Sequence, residues 1–184
     1  MKTHFAEERI DYTGEQLRSH WARRTFGIEG DCIVAFRGIC DVKPEFMVDL
    51  VDLEAGSRIY SPLMLHFIIE HFDSDLEKGV LKQRLLAAIV CEYLRSTTGR
   101  PITRQGDDIF LEECKISVSI AAASPVSILI HFGINVRTEG VPVPACGLEE
   151  LGLEPDVTAQ YIMRAYISEM EDIKVARTSA KPVK

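Results

Sequence analysis

Lys115-Ile116-Ser117-Val118-Ser119-Ile120-Ala121-Ala122-Ala123-Ser124-Pro125-Val126-Ser127-Ile128-Leu129-Ile130-His131-Phe132-Gly133-Ile134-Asn135-Val136 is the stretch on which the fold turns. Its apolar residues recur at every second position on either side of Ser124-Pro125, the pattern of two antiparallel strands joined by a turn. On the first strand Ile116, Val118 and Ile120 form one set, with Lys115, Ser117 and Ser119 opposite. On the second strand Ile128, Ile130, Phe132 and Ile134 are the apolar set, and Ser127, His131, Gly133 and Asn135 the other, Leu129 excepted. Facing residues in a ladder share a face, so the two polar sets coincide only if the loop holds an odd number of residues. A three-residue loop, Ser124 to Val126, sets Lys115 opposite Asn135 and Ser119 opposite His131. This predicts one face packed on helices and one carrying Lys, Ser, His and Asn. A plain solvated sheet face is the competing reading. The small residues Ser117, Ser119, Ala121 and Gly133 favour a ligand site, because they leave room for one.

Working outward, Gly14 to Phe26 reads as a helix, with Leu17, Trp21 and Ala22 on one face, and Cys32 to Phe36 as a strand. Phe46 to Leu53 alternates apolar and acidic residues, which places Asp49 on a strand. Pro62 reads as a loop before a strand from Met64 to Phe72. Asp73-Ser74-Asp75 supplies an N-cap for a helix from Leu76 to Arg95. Its apolar positions include Leu76, Val80, Leu81, Leu85 and Ile89. Strands Ile102 to Gln105 and Asp108 to Leu111 precede the hairpin, a helix from Pro155 to Ala176 closes the chain, and Thr178 to Lys184 reads as a frayed tail. The expected architecture is α+β, a central, largely antiparallel sheet with helices packed on one face, in one domain over residues 1–184.

Composition narrows the function. At 184 residues with 46% hydrophobic content, the chain can bury a full core without disulfides or metal. A net charge of −7 argues against a sequence-independent grip on nucleic acid. The five cysteines are scattered, without a Cys-x-x-Cys pair, and the three inside apolar runs read as small buried hydrophobes. Apolar runs fall short of a membrane span, and the first residues lack a secretory pattern, so cytoplasm is the expectation.

Three stretches carry a family resemblance: Arg104-Gln105-Gly106-Asp107-Asp108-Ile109, Lys115-Ile116-Ser117, and Gly133-Ile134-Asn135-Val136. Together they resemble the central signature of biotin protein ligases, Lys-Trp-Pro-Asn-Asp-Ile/Leu, then a Lys seven residues after the Asp, then Gly-Ile-Asn. Arg58-Ile59-Tyr60-Ser61-Pro62 is similar to the ligases' Arg-x-Trp-x-Ser-Pro stretch. Over nearly its whole length the chain resembles the family called domain of unknown function 366, grouped by fold with class II aminoacyl-tRNA synthetases and biotin and lipoate ligases. The resemblance implies that Lys115 bridges a substrate carboxylate and an ATP α-phosphate. It implies that Asp107 and Asp108 hold Mg²⁺ or the ribose and amine of a nucleotide, with Asp108 the candidate Mg²⁺ ligand, that Asn135 serves phosphate or metal, and that Arg58 and Arg104 serve phosphate. The ligases' Gly-Arg-Gly-Arg-x-Gly loop and the lipoate ligases' Arg-Arg-x-x-Gly-Gly-Gly stretch are absent, and Val118 replaces the Gly that follows the lysine.

His66, Glu70 and His71 invite a metal reading, but on a strand His71 points away from the other two. A His66–Glu70 pair lining the pocket is the better reading. The expected catalytic residues are Lys115 and His131. The binding set adds Arg58, Arg104, Asp107, Asp108, Ser117, Ser119, Asn135, His66, Glu70 and Asp49. The expected activity is carboxylate adenylation or acyl transfer using ATP and Mg²⁺ on a small-molecule ligand, with a protein acceptor open. The alternatives are a non-ligase enzyme on a nucleotide-like or cofactor-precursor metabolite, or a non-catalytic ligand-binding domain on the same scaffold. An exposed sheet edge offers a route to pairing two copies.

Overall fold

A computed structural model describes residues 1–183; the final residue of the tail reading, Lys184, lies outside the described residues. The chain begins with β1 (Lys2–Phe5), followed by a short helix α1 (Trp21–Phe26) and β2 (Cys32–Asp41). A 3-10 turn (Pro44–Phe46) and α2 (Leu50–Ala55) lead into β3 (Tyr60–His71) and the long helix α3 (Leu76–Thr98). Strands β4 (Ile102–Gln105), β5 (Asp108–Leu111), β6 (Cys114–Lys115), β7 (Ser117–Ala123) and β8 (Ile128–Arg137) follow, and α4 (Pro155–Ser179) ends the fold.

Five strands form the main sheet in the order β1-β2-β3-β8-β7, and β4-β5-β6 form a smaller one. In the main sheet the β1–β2 pair is parallel, whereas β2–β3, β3–β8 and β7–β8 are antiparallel. Side chains alternate across each strand. Leu65, Phe67 and Ile69 of β3 and Ile130, Phe132 and Ile134 of β8 therefore point to one face, where they pack on Leu86, Val90, Ile162 and Tyr166 of α3 and α4. The opposite face carries Val34, Phe36, Met64 and Ile68, covered by Tyr12, Trp21 and Ala22 of the N-terminal segment. Fold class and the helix-packed face are as the sequence implied.

Several local expectations fail for identifiable reasons. Residues before Trp21 are not helical, because His20 takes the left-handed conformation at φ 64° and starts α1 late. The Phe46–Leu53 stretch is not a strand: Asp49 caps α2 by accepting from the Val51 and Asp52 amides, and Gly56 ends it. Asp49 and Asp52 lie three apart, a spacing that puts them on one side of a helical turn but on opposite faces of a strand. Pro62 lies inside β3, at the bulge where the pairing with β2 shifts register between Met64 and Ser61. On α3 the buried positions include Gln83, Leu86, Ala87, Val90 and Leu94, while Leu76 and Leu81 are exposed. The apolar residues outnumber one face, so periodicity alone misplaced the stripe. The expected tail is helical through Ser179.

Candidate functional site

The hairpin between β7 and β8 is built differently from its expected form. Ala123 pairs with Ile128, Ile120 with His131 and Ser117 with Ile134, so the loop is the even run Ser124–Ser127. Ser124 closes it: its Oγ accepts from the Ser127 amide at 2.9 Å, and its amide donates to the Ser127 carbonyl at 2.7 Å. The even loop places Val118 and Ile120, rather than Ser117 and Ser119, on the face of His131 and Asn135. Ser117 is fully buried toward the helices, its Oγ accepting from the Ile109 amide at 3.0 Å.

Lys115 still reaches that face, because the strand changes sheet at Ile116. Lys115 belongs to β6 and pairs with Phe110 of β5, whereas Ser117 opens β7. On β5 Asp108 and Phe110 share a face, so Lys115 stands diagonal to Asp108. Its Nζ lies 2.8 Å from an Asp108 carboxylate oxygen. The Lys115 backbone is fixed by its amide donating to the Pro144 carbonyl (2.9 Å) and its carbonyl accepting from the Cys146 amide (3.1 Å) and Asn135 Nδ2 (3.2 Å).

These residues border a cavity of about 400 Å³, within the span of small-molecule sites. Its charged end carries Lys115, Asp107 and Asp108, and Arg58 also borders it; its walls include Val42, Phe46, Ile59, Met64, Val118 and Ile120. Val141, Pro142 and Val143 border it on the segment that pairs with Lys115. Asp107 accepts from Arg84 at 3.1 Å, Gln83 at 2.9 Å and Ser119 at 3.2 Å. Burial raises the Asp108 carboxyl above the ordinary aspartate range, with Lys115 pulling the other way. Arg58 stacks 4.2 Å over the Tyr60 ring and pairs with Asp41 at 3.3 Å.

Of the residues singled out from sequence, Lys115, His131, Asp107, Asp108, Asn135, Ser119, Arg58 and Asp49 border the cavity. Arg104, Ser117, His66 and Glu70 do not. Arg104 turns to the Gly106 carbonyl on its own hairpin. Glu70 ties the fold together, accepting from the His20 amide at 2.8 Å and the Ser127 hydroxyl at 2.7 Å. His71 points to the helix face, where Tyr166 is 2.9 Å from its Nε2 and Asp31 3.3 Å from its Nδ1. The three side chains of the metal reading thus have three separate surroundings, and His66 and Glu70 form no pocket pair. Burial pushes the Cys32 thiol up to about 11 and the Cys40 and Cys146 thiols up to about 12, as suits structural cysteines.

Sequence reasoning missed Tyr12, Met64, Gln83 and Arg84. Gln83 left a signal, since it stands three residues before Leu86 and seven before Val90 on the buried stripe, where a polar side chain needs partners. Tyr12 left none, because it reaches the site only by running along β2, bridged to Cys40.

The model of the family called domain of unknown function (DUF366) matches residues 1–181. The chain belongs to that family. The uncharacterized protein MJ0805 of Methanocaldococcus jannaschii is 40% identical over 177 residues, covering 92% of this chain and 80% of the relative. A protein of unknown function from Pyrococcus horikoshi superposes with a TM-score of 0.95 at 43% identity, covering 100% of this chain and 99% of that one. A mutant biotin protein ligase from Aquifex aeolicus in complex with biotin gives a TM-score of 0.64 at 16% identity, covering 95% and 72%. Ta0514, a putative lipoate protein ligase from T. acidophilum with bound lipoic acid, gives 0.58 at 15%, covering 93% and 86%. At such identities the two ligases establish the fold alone, that of biotin and lipoate ligases.

Proposed function

We propose that the DUF366 cavity binds a small carboxylic acid with an apolar body and either activates its carboxylate by adenylation or transfers its acyl group from an activated form. The observation that carries this reading is Lys115, whose backbone is fixed by three hydrogen bonds and whose ammonium is held by Asp108 at 2.8 Å beside an apolar chamber. A preorganised ammonium stabilises negative charge that develops on a carboxylate or phosphate without having to reorganise. Asp108 holds its position until an anionic group takes its place. Biotin and lipoic acid, seen on the related ligases, are acids of this type.

ATP is the cofactor this reading asks for, and the A. aeolicus ligase is known with biotin and ATP together. Four carboxylates border the cavity (Asp49, Asp52, Asp107, Asp108) against two cations, Arg58 and Lys115. Such a lining fits a triphosphate only with its divalent cation, which takes few protein carboxylates and shares phosphate oxygens. Asp108 is the residue to hold Mg²⁺, because Asp107 is already engaged by Arg84, Gln83 and Ser119. Arg58 and Lys115 would meet phosphate oxygens. Mg²⁺ would neutralise charge on the triphosphate as pyrophosphate leaves.

ATP–pyrophosphate exchange against a panel of medium-chain and ring-bearing carboxylic acids tests the reading. Exchange with at least one acid is expected, lowered about 100-fold in Lys115→Ala. Full exchange in that variant would remove Lys115 from the chemistry. No exchange with any acid, while mass spectrometry of the purified chain finds a bound metabolite, would favour a non-ligase enzyme or binding domain.

A further inference from the structure

Behind the charged end lies a feature the activation chemistry does not use. His66 and His131 face each other across β3 and β8, with His66 Nδ1 3.1 Å from His131 Nε2. The other nitrogen of His66, Nε2, lies 3.3 Å from the Gly38 carbonyl. Tyr12 stacks on His131 with ring centroids 3.7 Å apart and planes 13° from parallel. His66 is fully buried and His131 is 3% exposed.

Close backbone approaches build this arrangement. A Cβ at Gly38 would sit 2.0 Å from the Ile10 carbonyl oxygen, so only glycine lets the N-terminal segment lie on β2 and deliver Tyr12. A Cβ at Gly133 would meet Met64 Sδ at 2.2 Å, so glycine there preserves the space beside His131.

The hydrogen bonds assign the protons in sequence. A carbonyl only accepts, so His66 Nε2 carries hydrogen toward Gly38. Burial holds His66 down at about 3 and His131 well below the usual histidine range, so each ring is neutral with one N–H. His66 Nδ1 is therefore an acceptor, and His131 Nε2 must carry the hydrogen it accepts. That leaves His131 Nδ1 with a lone pair. It has no partner among the described residues, and His131 borders the cavity.

We propose that the DUF366 cavity recognises its ligand through a neutral hydrogen-bond donor, a hydroxyl or N–H group, seated on His131 Nδ1. His66 is the positioning residue that fixes which nitrogen accepts. Asn135, beside Lys115, lies four residues along β8 on the same face, or roughly 13 Å away at strand rise. The ligand class is thus elongated, with a charged group at the Lys115 end, an apolar body along Val118, Ile120 and Met64, and a donor at the far end. This deepens the carboxylate reading and rests on it for the identity of the charged group.

The test uses the full chain and two stages. Long-range ¹H–¹⁵N spectra between pH 6 and 8 should show His66 and His131 both protonated at Nε2, with His131 Nδ1 unprotonated. A proton on His131 Nδ1 overturns the proposal. Titration then compares 8-hydroxyoctanoate with 8-methoxyoctanoate. The hydroxy acid should bind at least about tenfold more tightly and shift His131 Nδ1, as a lost hydrogen bond to a built acceptor implies. Equal affinities, or no shift at Nδ1 with either acid, overturn the proposal and leave Lys115 and the exchange assay untouched. In His66→Phe, the preference should fall below about threefold while octanoate affinity is unchanged; a preserved preference removes His66 from the positioning role. Should that variant fail to fold, the tautomer and titration of the native chain still decide.

Discussion

Lys115 and Asp108 are best understood as a pair whose members hold each other in place. A half-buried carboxyl favours its neutral form, and the ammonium 2.8 Å away opposes that preference. The sign follows directly. A carboxyl raised in the folded chain binds its proton more tightly there than in the unfolded chain, so it lowers stability as pH climbs through that range. Lys115 offsets part of the loss. Removing the ammonium in Lys115→Met should therefore move the Asp108 titration further upward, visible in its carboxyl ¹³C resonance. The unfolding free energy should also fall, by about 1–3 kcal/mol at pH 7 and by less at pH 4. An unchanged or lowered Asp108 titration would mean that burial alone sets it. The sequence brought Asp108 and Lys115 forward together through a seven-residue step that resembles the ligase signature, but not their ion pair, which depends on Lys115 pairing with Phe110 in β6. Asp107 was legible as a cavity residue, but not its engagement by Arg84, since α3 and the β4–β5 turn meet only in the folded chain.

At the scale of elements, the sequence carried strand existence well and register poorly. Alternation located β7 and β8, yet it could not count the loop, because Ser127 suits a polar strand position as well as a turn. Nor could it see the strand change sheets at Ile116, which lets Lys115 and Val118 share a face despite their odd separation. Ser127 shows what the longer loop achieves. Its hydroxyl donates to Glu70 at 2.7 Å, and the same carboxylate accepts from the His20 amide at 2.8 Å. One acidic side chain on β3 thereby binds the β7–β8 loop and the start of α1 to the sheet. Its 3% exposure leaves little water to replace either donor. Glu70→Ala should cost about 1–3 kcal/mol in urea unfolding, chiefly for stranding buried donors. Ser127→Ala should cost less, because the His20 amide still serves the carboxylate. Equal losses would show that the loop contact dominates, and a neutral Glu70→Ala would show that water satisfies both donors.

Across the whole molecule, the two faces of the main sheet divide the work. The helix face is a continuous apolar core in which Phe67, Phe132 and Ile134 are fully buried against α3 and α4. The opposite face is closed where Tyr12 and Trp21 cover it, and elsewhere it opens onto the cavity, whose walls there include Met64, Val118 and Ile120. Stability and ligand binding should then separate by residue parity along a single strand pair. Phe132 and His131 are neighbours in sequence but serve opposite faces, as do Ala121 and Ile120. Phe132→Ala should cost about 3–5 kcal/mol, since it leaves a void in packed surroundings that relax only partly. Ile120→Ala should cost nearer to about 1 kcal/mol, because its side chain borders space that is already open. The ligand response should invert: Ile120→Ala weakens binding of an apolar carboxylic acid several-fold, whereas Phe132→Ala leaves the affinity of the remaining folded fraction nearly unchanged. Urea unfolding and calorimetric titration of the two variants measure both halves. Comparable stability losses would mean that the cavity wall is packed as tightly as the core, which would leave no room there for a ligand.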